Sequence, residues 1–217
     1  MSRVKSGGSF GVTIDVSPLN KLTEGLKGFE KEIPGAASSA INRTLTQVVT
    51  KLGRIVTDQY AVKSKEVKET TKGNIRKSSK GNLKASIRSA GHTLSFAHFP
   101  FTPKKPSKRQ VKVKIINSKG KVASKHGFVA STGAKVESKT QYNVFRRTGK
   151  FSIAEKGRYQ GKMRENVAPI RTLSIPQMIT NQTTSEQITE FANSKLAERV
   201  DHEIKYRLEN VQKKLKG

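Results

Sequence analysis

Residues 34–60 read PGAASSAINRTLTQVVTKLGRIVTDQY, and this stretch decides the fold class. Ala37, Ala40, Ile41, Leu45, Val48, Val49, Leu52, Ile55, Val56 and Tyr60 recur at helical spacing, which gathers them on one face of a helix of about six turns. Pro34-Gly35 punctuates the chain just ahead of that face and suits a helix opening, where proline's missing N–H is not needed. Upstream, Ser17-Pro18 is a second start signal, and Leu19, Leu22, Leu26, Phe29 and Ile33 predict a shorter amphipathic helix. Phe10, Val12, Ile14 and Val16 alternate with period two and predict a half-buried strand. Downstream, residues 64–70 predict a third short helix that sets Val62 and Val67 against the others.

From Lys72 onward the chain turns to Ser, Gly and Lys with short β-prone runs at 83–87, 93–97, 111–116, 127–130 and 142–146. In Val111-Lys112-Val113-Lys114-Ile115 apolar and basic residues alternate strictly, so one strand face packs inward and the other presents lysines. Pro100, Pro103 and Pro106 exclude a central strand over 99–106, because each lacks a ladder donor, and make the stretch an extended loop. Residues 150–169 are polar and glycine-containing and read as a second long loop, ordered by contact with a neighbour. Thr184 and Gln187 form a capping box for a final helix of about eight turns. Its stripe is Ile188, Phe191, Leu196, Val200, Ile204, Leu208, Val211 and Leu215, and the acid-first pairs Asp201–Lys205, Glu203–Arg207 and Glu209–Lys213 support its solvated side.

The expected fold is therefore α+β: an N-terminal strand and helices, a central, mainly antiparallel sheet, and a long C-terminal helix. In segments, this is a strand and helical region over 1–70, a basic β-rich core over 71–149, an extended loop over 150–183 and an amphipathic helix over 184–217. The surplus length of that helix makes Ile188, Phe191, Leu196, Val200, Ile204 and Leu208 the candidate subunit interface.

Only 33% of the 217 residues are apolar, and the 17 glycines still leave the total below the roughly 45–50% of an ordinary globular chain, so the core is modest. The absence of cysteine removes disulfides, thiol nucleophiles and thiolate metal sites. No apolar run reaches the length of a signal peptide or a membrane span, so the chain is expected to stay in the cytosol where it is made, without a membrane partner.

Forty-three Lys and Arg face sixteen Asp and Glu, a formal charge of +27, and such density repels itself unless an anion lies near. The imbalance is sharpest between Glu69 and Glu137, where sixteen cations occur without one acid. Lysine-rich turns are often mere solvated surface, but a run this long favours a polyanion held by its phosphates. Lys104, Lys105, Lys108, Arg109, Lys112, Lys114, Lys119 and Lys121 are the candidate DNA-facing residues. No recognition helix or zinc finger accompanies them, and Phe96, Phe99 and Phe101 read as loop anchors rather than stacking platforms, so backbone contact without base readout is expected.

No catalytic, cofactor or metal site is expected. His92, His98, His126 and His202 lack ligand spacing, the carboxylates are sparse and scattered, and Gly7-Gly8, Lys72-Gly73 and Lys80-Gly81 read as turns rather than phosphate loops.

Several blocks, in order, resemble the minor tail protein Z family of tailed bacteriophages and prophages. Ala40-Ile41-Asn42-Arg43-Thr44 is similar to that family's helical Ala-x-Asn-Arg-Thr opening. Tyr60 and the lysine-rich 62–67 segment follow, then Gly127-Phe128-Val129-Ala130 and Tyr142-Asn143-Val144-Phe145-Arg146-Arg147. The closing block, Pro169-Ile170-Arg171-Thr172-Leu173-Ser174-Ile175-Pro176-Gln177-Met178, is similar to the family's Pro-Ile … Ser-x-Pro-Gln-Met signature and is the most specific. The resemblance spans roughly residues 36–215. It implies a structural virion protein that completes the tail and joins it to the head at the head-proximal end, after passing through the host cytoplasm. Implied partners are its own copies in a hexameric ring, tail tube, tail terminator or connector proteins, and phage DNA, with no enzyme activity. The alternative reading is a stand-alone nucleic-acid-binding protein of ribosomal or nucleoid type, which would share the charge but not the closing block.

Overall fold

The structure is a computed structural model that describes residues 16–216, with side chains to 213. The strand expected over 10–16 falls, apart from Val16, outside the described residues. The chain forms two compact units, each drawing on separated stretches of sequence. One comprises the chain through Thr57, Ser64–His92 and the chain from Ile175 onward; the other comprises Asp58–Lys63 and Thr93–Ser174.

The first unit is mainly helical. A 3-10 turn at Ser17–Leu19 leads into α1 (Asn20–Gly25), which stops well short of Ile33. Gly28 interrupts it by adopting φ +87°, open to glycine but strained for other residues, and its N–H is taken by the Glu30 side chain at 2.9 Å. Ser17 is not the cap, since the turn is capped at Val16 without a side-chain bond. The long helix α2 (Ile33–Gln59) opens with Pro34 in its first turn and carries the expected apolar face. Its small residues Gly35, Ala36, Ala37, Ser38 and Ala40 are all buried. The third helix, α3 (Ser64–Thr71), forms as expected, with Val67 buried. Two-residue strands β1 (Ile75–Arg76) and β2 (Ser86–Ile87) pair antiparallel.

The last two helices close this unit. The five-residue α4 (Ile175–Ile179) buries Ile175, Pro176, Met178 and Ile179. Helix α5 (Gln182–Lys216) has 35 residues, nearer ten turns than eight, and begins two residues before Thr184. Thr184 is therefore the third helical residue, buried, and not the cap. Leu196 and Val200 of α5 pack with Leu22 and Leu26 and with Ala36, Ala37 and Ala40 of α2. Gly25 lets α1 come close: a Cβ there would lie 2.8 Å from Ile204 Cδ1.

The second unit is β-rich, with small antiparallel sheets rather than one. Strand β3 (Thr93–Ser95) pairs with a later strand, and β4 (Phe101–Thr102), β5 (Lys112–Val113) and β6 (Val122–Ala123) form a three-stranded sheet with β5 central. The proline-flanked β4 is thus an edge, as its chemistry requires. A further sheet joins β7 (Phe128–Val136), β8 (Lys139–Ile153) and β9 (Met163–Pro169) in that order, and β10 (Arg171–Ser174) returns to β3. Much of the loop expected over 150–183 is therefore strand, and a short helix at Ile175–Ile179 also falls within it. The turn between β7 and β8 holds Glu137 and Ser138 at φ 48° and 63°, the double left-handed geometry of a two-residue hairpin. Gly133 and Gly149, at φ +82° and +74°, sit where the register shifts, as bulge residues do. Phe99, Phe101, Val111, Val113, Val129 and Val144 are buried in this unit.

Candidate nucleic-acid and assembly surfaces

Strand β5 realises the alternation read from sequence. Val111 and Val113 are buried, Lys112 is exposed and Lys114 half-buried. Lys112 faces Thr102 on one neighbour and Ala123 on the other, so its ladder partners are uncharged. Lys104, Lys105, Lys108 and Arg109, in the loop between β4 and β5, and Lys119 and Lys121, between β5 and β6, are exposed. The Lys104 ammonium lies 4.7 Å from the centroid of the Phe101 ring. Among the described residues no ion pair ties any of these eight cations to a carboxylate. Phe99 and Phe101 are buried anchors of this layer, and Phe96 is half-buried.

The six residues of the C-terminal stripe have a different setting. Ile188, Leu196 and Val200 are buried, and Ile204 and Leu208 pack against the helical core. Phe191 is half-buried beneath the Lys51 ammonium, 5.8 Å from the ring centroid. The stripe is the chain's own core face.

Exposed apolar side chains gather instead on the β8–β9 hairpin, where sequence indicated only a loop. Phe151, Ile153 and Met163 are 64%, 63% and 72% exposed. Ile153 faces Met163 across the ladder and Phe151 lies two residues along, so all three share one sheet face. Beside them Glu165 accepts the Gly149 N–H at 2.9 Å and pairs with Arg147 at 3.2 Å, pinning the bulge. At the turn Tyr159 lies under Arg164, 3.8 Å from ring centroid to guanidinium carbon. The period-two spacing of Phe151 and Ile153, and of Met163, Glu165 and Val167, was the available signal.

The residues of the helical and closing blocks turn out to be joinery. Asn42 Nδ2 donates to the Ser78 carbonyl at 3.0 Å and Asn42 Oδ1 accepts the Ser78 N–H at 2.8 Å, clipping the turn before β2 onto α2. Arg43 reaches Glu203 at 3.6 Å, and Glu203 is only 1% exposed. Arg207 meets the same carboxylate at 3.6 Å and also pairs with Glu32. Glu203–Arg207, expected as a solvated pair, is thus part of a four-residue charge network centred on a buried carboxylate. Asp201 pairs with Lys21 at 3.9 Å. In the closing block, Ser174, Ile175, Pro176 and Met178 are buried where β10 gives way to α4.

Among the described residues no group of His, Asp and Glu is placed to hold a metal ion, and no helix is long and apolar enough to cross a membrane. A family model for prophage minor tail protein Z (GPZ) matches residues 16–214. The chain belongs to that family. It is accordingly a structural component of the phage tail and a neighbour of other virion proteins, in a family that is not one of enzymes. No curated protein and no solved structure matches the chain.

Proposed function

We propose that this minor tail protein Z family member completes the tail and joins it to the head at the head-proximal end, with the lysine-bearing face of the β4–β5–β6 sheet toward the genome. The observation that carries the reading is the set Lys104, Lys105, Lys108, Arg109, Lys112, Lys114, Lys119 and Lys121. It is largely exposed, without carboxylate partners among the described residues, and lies on a layer anchored by Val111 and Val113. Neighbouring subunits, in a hexameric ring, engage the Phe151, Ile153 and Met163 face rather than the C-terminal stripe, because the stripe packs within its own unit. A head-proximal ring sets a basic layer beside DNA, and cations that release counterions from phosphate bind any sequence alike.

Replacing Lys104, Lys105, Lys112 and Lys114 with Glu tests the DNA-facing surface. Binding to unrelated duplexes should weaken equally, and the slope of log affinity against log salt should flatten by about 3 to 4, near 0.9 for each phosphate no longer neutralised. Unchanged affinity and slope would remove the DNA-facing assignment.

A further inference from the structure

The acid-free run of cations is divided between the two units. Lys72, Arg76, Lys77, Lys80, Lys84 and Arg88 belong to the helical unit, not to the sheet that carries Lys104 to Lys121. Lys77 lines a shallow, open cleft of about 460 Å³ with Asn42, Arg43, Thr46, Gln47 and Arg199. Three cations from α2, the turn before β2, and α5 thus converge, and no carboxylate is among the residues lining it.

Two of the three neutral walls are already occupied, while the Gln47 Oε1 is buried without a hydrogen-bond partner among the described residues. Asn42 is bound through both amide atoms to Ser78, and the Thr46 hydroxyl donates to the Asn42 carbonyl at 3.0 Å. Charge around the cleft is unevenly matched. Arg43 and Arg207 are balanced by Glu203 and Glu32, while the Glu198 carboxylate is held below the usual carboxylate range by its bond from Lys195 and, more weakly, by the charge of Arg199. Among the described residues no carboxylate pairs with Lys77, and the Arg199 Nε is buried without a hydrogen-bond partner. Like charges brought together around one shallow depression favour an anion with several acceptor oxygens.

We propose that this cleft binds a phosphate group through Arg199 and Lys77, with Arg43 at its edge. The site is separate from the sheet lysines and does not depend on their facing DNA. Arg43 also holds Glu203, so Arg199 and Lys77 are the residues to change.

The test uses the full chain and inorganic phosphate as probe, with melting temperature read against sodium chloride at equal ionic strength. Phosphate should raise the melting temperature beyond the chloride control. The rise should vanish in Lys77→Gln/Arg199→Gln, persist in part in Arg199→Lys, and remain in the variant with Glu at 104, 105, 112 and 114. Phosphate-detected NMR titration of the same proteins gives a reading independent of stability. Competition by short duplex DNA for bound phosphate would identify a nucleic-acid backbone as the source, and its failure would identify a free phosphate or phosphomonoester. An equal effect of phosphate and chloride on the wild-type chain, or an unreduced phosphate effect in the double variant, would overturn the site.

Discussion

Glu203 shows how far one side chain's role depends on what is packed over it. Its spacing to Arg207 suits an exposed helical pair worth a few tenths of a kcal/mol. Buried to 1% and shared by Arg43 and Arg207, it becomes a charge that cannot lose its partners cheaply. Glu203→Gln should lower unfolding free energy by only about 1 kcal/mol, because both contacts are long, Arg207 keeps Glu32 and Arg43 is half exposed, so neither arginine is left as a buried unpaired charge. Urea denaturation measures it. Tyr60 offers a pH probe. Burial disfavours its phenolate, so its pKa in the fold is raised from 10.0. The folded state then holds the proton more tightly than the unfolded chain. The stability linked to Tyr60 is complete below pH 10 and lost as pH climbs through the raised value. Alkaline denaturation should be shallower in Tyr60→Phe, and ultraviolet titration of tyrosinate should show one late group fewer.

At the scale of elements, helices were legible and hairpins were not. The apolar face of α2 repeats often enough to outvote local noise, and its placement followed, whereas α3 carries Val67 as its one apolar residue and has no such stripe. The strand β8 is 15 residues long and exposed through most of its second half, so no burial imprints an alternation there. Glycines at 149, 157 and 161 then resemble loop punctuation, although in the structure Gly149 is a bulge within the ladder. The hairpin's exposed face predicts its own test. Serine at 151, 153 and 163 together removes three apolar side chains that touch little in the chain, so each should change stability by no more than about 1 kcal/mol. Light scattering with tail components should show a smaller assembly for this variant than for the unmodified chain, and equal sizes would place the contact elsewhere.

At the scale of the whole molecule, the charge of +27 opposes the compact state in dilute salt. Raising ionic strength from about 0.01 to 0.15 M shortens the screening length from roughly 30 to 8 Å. The melting temperature should therefore rise with sodium chloride over that range, and the rise should shrink in the variant with four glutamates, whose net charge is lower. A flat response in scanning calorimetry would mean that the cations are already compensated within the fold.

By itself the sequence determined the position of α2, the presence of a long C-terminal helix, the inward and outward faces of β5, the local excess of cation and, through the order of its blocks, the family. These are properties of spacing and composition, which survive without knowledge of neighbours. Tertiary structure alone decided that the C-terminal stripe faces its own core, that Glu203 is buried between arginines, that Asn42 clips a turn, and that one acid-free run serves two units. Each of those depends on residues far apart in the chain meeting in space, and an apolar stripe reads the same whether a partner chain or its own chain covers it.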